Sequence, residues 1–401
     1  MTTLRPCPGC GGSSAAAIHT QRFESVDGHP VGRGYDVVCC DTCGFAFADT
    51  ACTAADLNRF YAAMSKYADS RSGSGAGVNP LDAARLRATA RTIHDSVAPG
   101  ARILDIGCAN GGLLGALGDL GRHALAGVDP SAACVAATTS RGFEAHQATL
   151  DALPAFGRTF DCVVLSHVLE HVLDVGPAIA AALAVLAPGG RLYIEVPDAA
   201  RYTAFLYSPF QDFNTEHINH FSESTLRGSL ARLGLATVAM GHKTFRQSET
   251  CEFPAVYGFF ERGAAVPPPE SGGSLADRLA RYTAASAALM DEIDRHLEAE
   301  LDGRGCIVWG MGQLAMKVFC LPRAQSIPVA ACVDSNPVNH GKLFRGAPIV
   351  PPDAIAGMSQ PILITSLIHH RSIERQIESM GLPNRRIFLR PDPDTPYRAL
   401  R

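Results

Sequence analysis

The run ARILDIGCANGG, residues 101–112, sets a short apolar strand directly before a turn made of Gly107, Cys108, Ala109, Asn110 and Gly111. Small residues let the backbone of such a turn approach a bound ligand, and Asp105 at the strand end can order the turn or that ligand. The following strand, HALAGVD, ends in Asp129 before Pro130. A carboxylate at that position can accept both hydroxyls of a ribose. The turn reads G-C-A-N-G, so the GxGxxG dinucleotide fingerprint is absent here. Beyond it come the strands FDCVVLS and RLYIEVP, with helices over GGLLGALGDLG, SAACVAATTSRG and near PAIAAALAVLAPGG. Short apolar strands alternating with helices predict a parallel α/β sheet covered on both faces.

Upstream, DLNRFYAAMSKYADSRSGSGAG reads as a helix running into a Ser/Gly loop, and LDAARLRATARTIHDSV as a second amphipathic helix. Downstream, AAVPPPESGGS, Ala264 to Ser274, has the composition of a linker. A long helix, LADRLARYTAASAALMDEIDRHLEAEL, follows it, and β/α alternation then resumes with CIVWGMGQLAMKVF, VAACVDSNP and PILITSLI. The chain of 401 residues is too long for one ordinary core. Charged residues make up 18% and the formal net charge is −4, without a long basic run, which argues against nucleic acid or an anionic membrane as main partner. A small-molecule acceptor fits better. MTTLRPCPGCGG has no apolar signal region and no apolar run approaches a membrane span, so a cytoplasmic protein, monomer or homodimer, is expected.

Five of the 13 cysteines lie in the first 43 residues. Cys7-Pro-Gly-Cys10 and Cys40-Asp-Thr-Cys43 form two CxxC knuckles beside glycines, with Cys39 as a substitute for Cys40. Four thiolates at this spacing can converge on a structural Zn²⁺, and a small segment with little core gains most of its stability from such an ion. The expected organisation is a zinc-binding domain over 1–55, an α/β domain over 56–262, linker and helix over 263–300, and a second Rossmann-like domain over 301–401.

Two polar clusters remain. His167-Val-Leu-Glu170-His171 fits the HxxEH peptidase pattern, with the three polar residues on one helical face. It directly follows a sheet strand, however, at the edge where α/β enzymes keep ligands and catalytic groups. NTEHINHF, Asn214 to Phe221, packs Glu216, His217, Asn219 and His220 between a Pro-containing loop and the helix start SESTL. This density suits a metal site, an acid/base site or a solvated loop.

DIGCANG followed by GVDPS resembles the class I S-adenosylmethionine (SAM) methyltransferases, whose fourth-strand motif FDCVVLSHVLEHV also resembles. With the paired knuckles, the second Rossmann-like domain and Glu216-His217-Ile-Asn-His-Phe221 as an EHxxxF element, the whole chain looks like the deoxysugar C-methyltransferases acting on nucleotide-linked 4-keto sugars. That resemblance implies an enzyme in which Asp105, Gly107, Cys108, Asn110, Gly111, Asp129, Pro130, Leu150 and Ser166 bind SAM, Leu150 lying near the adenine. It implies His217 as the base that removes a proton beside the ketone and Glu216 as its partner. His167 or His171, and Tyr67 or Tyr61, bind the substrate oxygen. Asn214 stands where the family carries Tyr, and QSETCEFPAVYGFFER stands where it often carries a HGGS-type element. Carbon becomes nucleophilic only after losing a proton, so such an enzyme needs a base and donors for the enolate oxygen.

Two other readings stay open: an O- or N-methyltransferase of the same architecture, and a SAM-sensing zinc-knuckle interaction protein without turnover. In the tail, Gly310-Met-Gly312-Gln-Leu-Ala315 with Asp334 meets the GxGxxA form. It admits a wall docking the substrate's nucleotide, a structural repeat of the fold, or a dinucleotide site. Trp309 either packs or lines that region, and Lys317, His369 and His370 are candidates to face a substrate held between the two α/β domains.

Overall fold

Residues 15–49 carry no helical period and form three strands, β1 (Ala15–Arg22), β2 (Gly34–Cys40) and β3 (Ala46–Asp49). The structure, a computed structural model, describes residues 1–24, 30–64, 75–248, 251–264 and 274–392. Tyr67 and most of the Pro/Gly-rich linker lie outside the described residues. Two units divide the chain. The first comprises Met1–Ala17, Val38–Arg201 and Glu216–Arg278, and the second Ile18–Val37, Tyr202–Thr215 and Leu279–Arg401.

In the first unit, α1 (Ala54–Met64) precedes α2 (Pro80–His94). The Asn79 carboxamide oxygen caps α2 by accepting from the Leu81 amide at 2.8 Å, and Pro80 sits where a missing N–H costs nothing. Leu86, Thr89, Ala90 and Ile93, spaced along one face, are buried. The chain then runs β4 (Arg102–Ile106), α3 (Gly112–Gly118), β5 (Ala124–Asp129), α4 (Ala132–Ser140), β6 (Glu144–Gln147), β7 (Phe160–Ser166), α5 (Val175–Ala184) and β8 (Leu186–Pro197). After β9 (Asn219–His220) and α6 (Glu223–Arg232) come β10 (Leu235–Arg246) and β11 (Glu252–Arg262). The resulting sheet has the order β10-β11-β8-β7-β4-β5-β6. Neighbouring strands from β8 to β6 are parallel, and β11 is antiparallel to both its neighbours.

Buried on both faces, β4 and β7 read as continuous apolar runs, with Ile103, Leu104, Val163 and Val164 wholly enclosed. From β4 the chain steps through β5 and β6 to one side, then returns through β7 and β8 to the other. The carboxyl ends of β4 and β7 therefore flank a topological switch point, where an open α/β sheet leaves a crevice for a ligand. The EHINHF element is not a plain loop. Its second half is β9, antiparallel to β3 with Ala46 opposite His220 and Phe47 opposite Asn219, in a sheet of order β1-β2-β3-β9. Burial lowers the His220 pKa to about 3, so this ring is a neutral core group.

The second unit holds most of α7 (Leu275–Leu301), then β12 (Cys306–Trp309), α8 (Gln313–Val318), β13 (Val329–Val333), β14 (Leu343–Phe344), β15 (Ala347–Val350), β16 (Ile362–Ile364), α9 (His370–Ser379) and β17 (Arg386–Phe388). Its sheet runs β14-β15-β13-β12-β16-β17, parallel except at β14. Trp309 packs in its core beside Ile307, Val333 and Ile364. Lys317, a candidate for an open face, is buried with its Nζ donating to the Phe210 carbonyl, and His370 is buried as well. Among the described residues no helix is long and apolar enough to cross a membrane.

Candidate active site

Gly107 leaves β4 with φ 75°, and Gly111 opens α3 with φ 73°, both in the left-handed region that glycine tolerates. A Cβ on Gly107 would lie 2.8 Å from Val168 Cγ2, so the turn after β4 packs directly on the loop after β7. The amides of Gly107 and Cys108 donate to the Val128 carbonyl at 2.7 and 3.0 Å, pinning this turn to β5. Asp129 completes the frame: its Oδ2 accepts from the Ala109 amide at 3.0 Å and its Oδ1 from the Ser131 amide at 2.9 Å. The carboxylate thus orders the turn and still has lone pairs to offer. Burial, then the neighbouring Asp129, raises the Asp105 pKa to about 8, so this carboxyl is largely neutral near pH 7. Asp105, Gly107, Cys108, Asn110, Gly111, Asp129 and Pro130 all come to the carboxyl edge of β4 and β5, with Ser166 ending β7 at the same edge and Leu150 following β6.

HVLEH is a turn, not a helical face, because His167 adopts φ 57° immediately after β7. Its polar residues are therefore sorted by loop geometry. His167 Nδ1 hydrogen-bonds Glu170 Oε1 at 3.0 Å, and its Nε2 forms a less well aligned ion pair with Glu195 Oε1 at 3.3 Å. Burial opposes the imidazolium, yet the two carboxylates prevail and raise the His167 pKa to about 9. Glu195 itself accepts from Lys243 Nζ at 2.7 Å, the Tyr193 hydroxyl at 2.6 Å and Ser166 Oγ at 3.3 Å. Burial raises its pKa, but His167 and Lys243 outweigh that and hold it well below the usual carboxylate range.

His171 Nδ1 lies 3.0 Å from both the Glu216 carbonyl and the Tyr61 hydroxyl. A carbonyl only accepts, so these partners assign the proton to Nδ1. The His171 ring meets His217 edge-on with centroids 4.9 Å apart. One donor atom from each of Glu170, His171 and His217 falls within 4.8 Å of the other two. Asn219 ties the loops together: its Nδ2 donates to the Leu169 and Val172 carbonyls at 2.8 and 2.6 Å. Arg5 adds a second tie, its guanidinium donating to the Leu173 and Ile218 carbonyls and to Asn219 Oδ1, each at 2.9 Å.

The four knuckle cysteines also converge. Cys7 and Cys43 sulfurs are 3.6 Å apart, as are those of Cys10 and Cys40, and all four fall within 4.8 Å. A tetrahedron with Zn–S bonds of about 2.3 Å has S···S edges of about 3.8 Å, so the set fits that ion. Cys39 Sγ is instead directed to the Gly44 carbonyl at 3.1 Å.

His217, His171 and Tyr61 are thus brought together, with Glu216 contributing its main-chain oxygen to His171. His167 belongs to the ion-pair chain with Glu195. Sequence reasoning missed Arg5, Glu195 and Lys243, and placed Asn219 in the polar cluster without its role as a tie between the loops. Glu195 had a signal, a charge inside the apolar strand RLYIEVP; Arg5 and Lys243 had none.

Residues 79–240 match the family model described as Methyltransferase domain, and residues 303–388 match the one described as C2185-like, N-terminal. Among curated relatives, a ubiquinone biosynthesis O-methyltransferase of Bradyrhizobium sp. (strain ORS 278) is 37% identical over 102 residues, 24% of this chain and 40% of that protein. An uncharacterized 37.1 kDa protein in transposon TN4556 of Streptomyces fradiae is 30% identical over 151 residues, 35% and 43% of the two chains. The chain spans 40% of the first and 43% of the second, less than half the length of each. Among solved structures, magnesium protoporphyrin IX methyltransferase from Synechocystis PCC 6803 with bound SAM is 17% identical, covering 51% of this chain and 94% of its own, with a TM-score of 0.37. Residues 79–240 thus match a methyltransferase domain.

Proposed function

We propose that the chain is a SAM-dependent C-methyltransferase acting on the carbon beside the ketone of a nucleotide-linked keto-deoxysugar. The observation that carries this reading is the gathering of His217, His171 and Glu170 within 4.8 Å in the unit whose sheet edge bears the Gly107 turn. A methyltransferase for oxygen or nitrogen needs at most one base; a carbon acid needs a base and polar groups for the enolate oxygen.

Bound SAM would supply an electrophilic methyl group. The turn residues Asp105, Gly107, Cys108, Asn110 and Gly111 hold its methionine part, Asp129 and Pro130 the ribose side, Leu150 the adenine, and Ser166 the reacting end. His217 takes the proton from carbon, and Tyr61 and His171 stabilise the enolate oxygen. Tyr67 is a further candidate for that task. Cys7, Cys10, Cys40 and Cys43 hold a structural Zn²⁺.

With [methyl-¹³C]SAM and a nucleotide-linked 4-keto-6-deoxyhexose, the product is expected to show the labelled methyl bonded to carbon by ¹³C NMR. A methyl on oxygen would instead support the second reading, O-methylation of a small acceptor, which the name of the Bradyrhizobium relative favours.

A further inference from the structure

We infer that Glu170 is a positioning residue for the proposed proton transfer, its buried carboxylate orienting His217 and balancing the positive charge that His217 acquires. This rests on the C-methylation reading. Glu170 is fully buried, and its Oε1 already serves His167 at 3.0 Å and faces His171 Nε2 at 4.0 Å. Its Oε2 is equally buried and has no hydrogen-bond partner among the described residues. A carboxylate oxygen left this way inside a protein is costly unless something charged or hydrogen-donating comes to it.

The main chain holds the backbone of Glu170 beside that of His217. The amides of Ile218 and Asn219 donate to the Glu170 carbonyl at 2.8 and 3.2 Å, so the residue after His217 is bonded directly to Glu170. Lys243, Glu195, His167 and Glu170 form one run of ion-pair contacts at 2.7, 3.3 and 3.0 Å, at whose end Glu170 Oε2 is left open. In the reaction the C–H bond breaks and its electron pair forms the C=C bond of the enolate. The carbonyl π pair moves to oxygen, and the proton goes to a His217 nitrogen. An imidazolium then appears beside Glu170, whose open lone pairs can meet it. The enolate carbon next takes the methyl group, the S–CH₃ pair stays on sulfur, and His217 returns its proton to solvent.

The test is solvent exchange at the carbon beside the ketone of a nucleotide-linked 4-keto-6-deoxyhexose, in D₂O with S-adenosylhomocysteine present. Wild type, E170Q, H217A and the double variant are compared. E170Q is expected to slow exchange about 10- to 100-fold with little change in KM, and E170D to recover part of it. In the H217A background, E170Q should add nothing, because Glu170 acts through His217. Wild-type exchange by E170Q, or a full multiplicative loss in the double variant, overturns this role. Should E170Q not fold by circular dichroism, E170D and E170D/H217A complete the same cycle. If wild type exchanges nothing, the carbon-acid reading falls and this role with it. A second tightly bound divalent ion per chain, absent from E170Q, would make the cluster a metal site and also overturn the proposal.

Discussion

His217→Ala is expected to lower the methyl-transfer rate on a keto-sugar by roughly 10²- to 10⁴-fold, the usual contribution of a positioned general base. Affinity for SAM should stay within about threefold, because the turn after β4 is held by the Val128 carbonyl, by Asp129 and by packing on Val168. His220→Ala makes an instructive companion. That ring lies in the core on β9, opposite Ala46, and burial keeps it neutral. Its loss should cost stability by leaving a cavity, with thermal unfolding at lower temperature, while the folded fraction still catalyses proton transfer. A His217→Ala variant with wild-type methyl transfer would remove His217 from the mechanism. Measuring kcat, KM and SAM binding by calorimetry on the same preparations separates the two histidines.

The second large effect is loss of zinc. Wild type is expected to carry one zinc per chain by elemental analysis, and Cys40→Ser none. Structural zinc sites supply about 10–16 kcal/mol of apparent binding free energy in small peptides. Here the head shares the domain core, since Phe45 and Phe47 pack in one cluster with Leu104 and Leu165, so only part of that energy is exposed to the mutation. A loss of several kcal/mol should still lower Tm by about 10 °C or more. Activity should fall too. Arg5, two residues before Cys7, holds the carbonyls of Leu173 and Ile218 and the side chain of Asn219, so a loosened knuckle releases both loops that carry the site histidines. A wild-type protein free of zinc with an unchanged Tm after Cys40→Ser would contradict this account.

Much of the first α/β unit was legible because its central strands are enclosed on both faces and so read as unbroken apolar runs, each ending in a Gly, Asp or Ser that marks the ligand edge. The tight turn after β4 followed from Gly107 and Gly111, whose positive φ values are what a non-glycine residue avoids. HVLEH was misjudged as helical for the complementary reason. Its i, i+3, i+4 spacing is a helical signature, but one left-handed residue, His167, cancels it, and histidine does not announce such a conformation as glycine does. The site's supporting partners were illegible because they are remote in sequence. Arg5 reaches Asn219 across 214 positions and Lys243 reaches Glu195 across 48, distances over which local periodicity carries no information. The strand β9 was hidden by its length of two residues, since its pairing with β3 depends on neighbours and not on its own composition.

The most direct test of carbon-acid chemistry is proton exchange by the wild-type protein alone. A nucleotide-linked 4-keto-6-deoxyhexose is incubated in D₂O with S-adenosylhomocysteine, which fills the cofactor site without donating a methyl group, and the carbon beside the ketone is followed by ¹H NMR. Loss of that proton signal well above the rate without enzyme is the predicted result. An unchanged signal, with the protein folded and S-adenosylhomocysteine bound, would contradict deprotonation at carbon and turn the search to hydroxyl and amine acceptors.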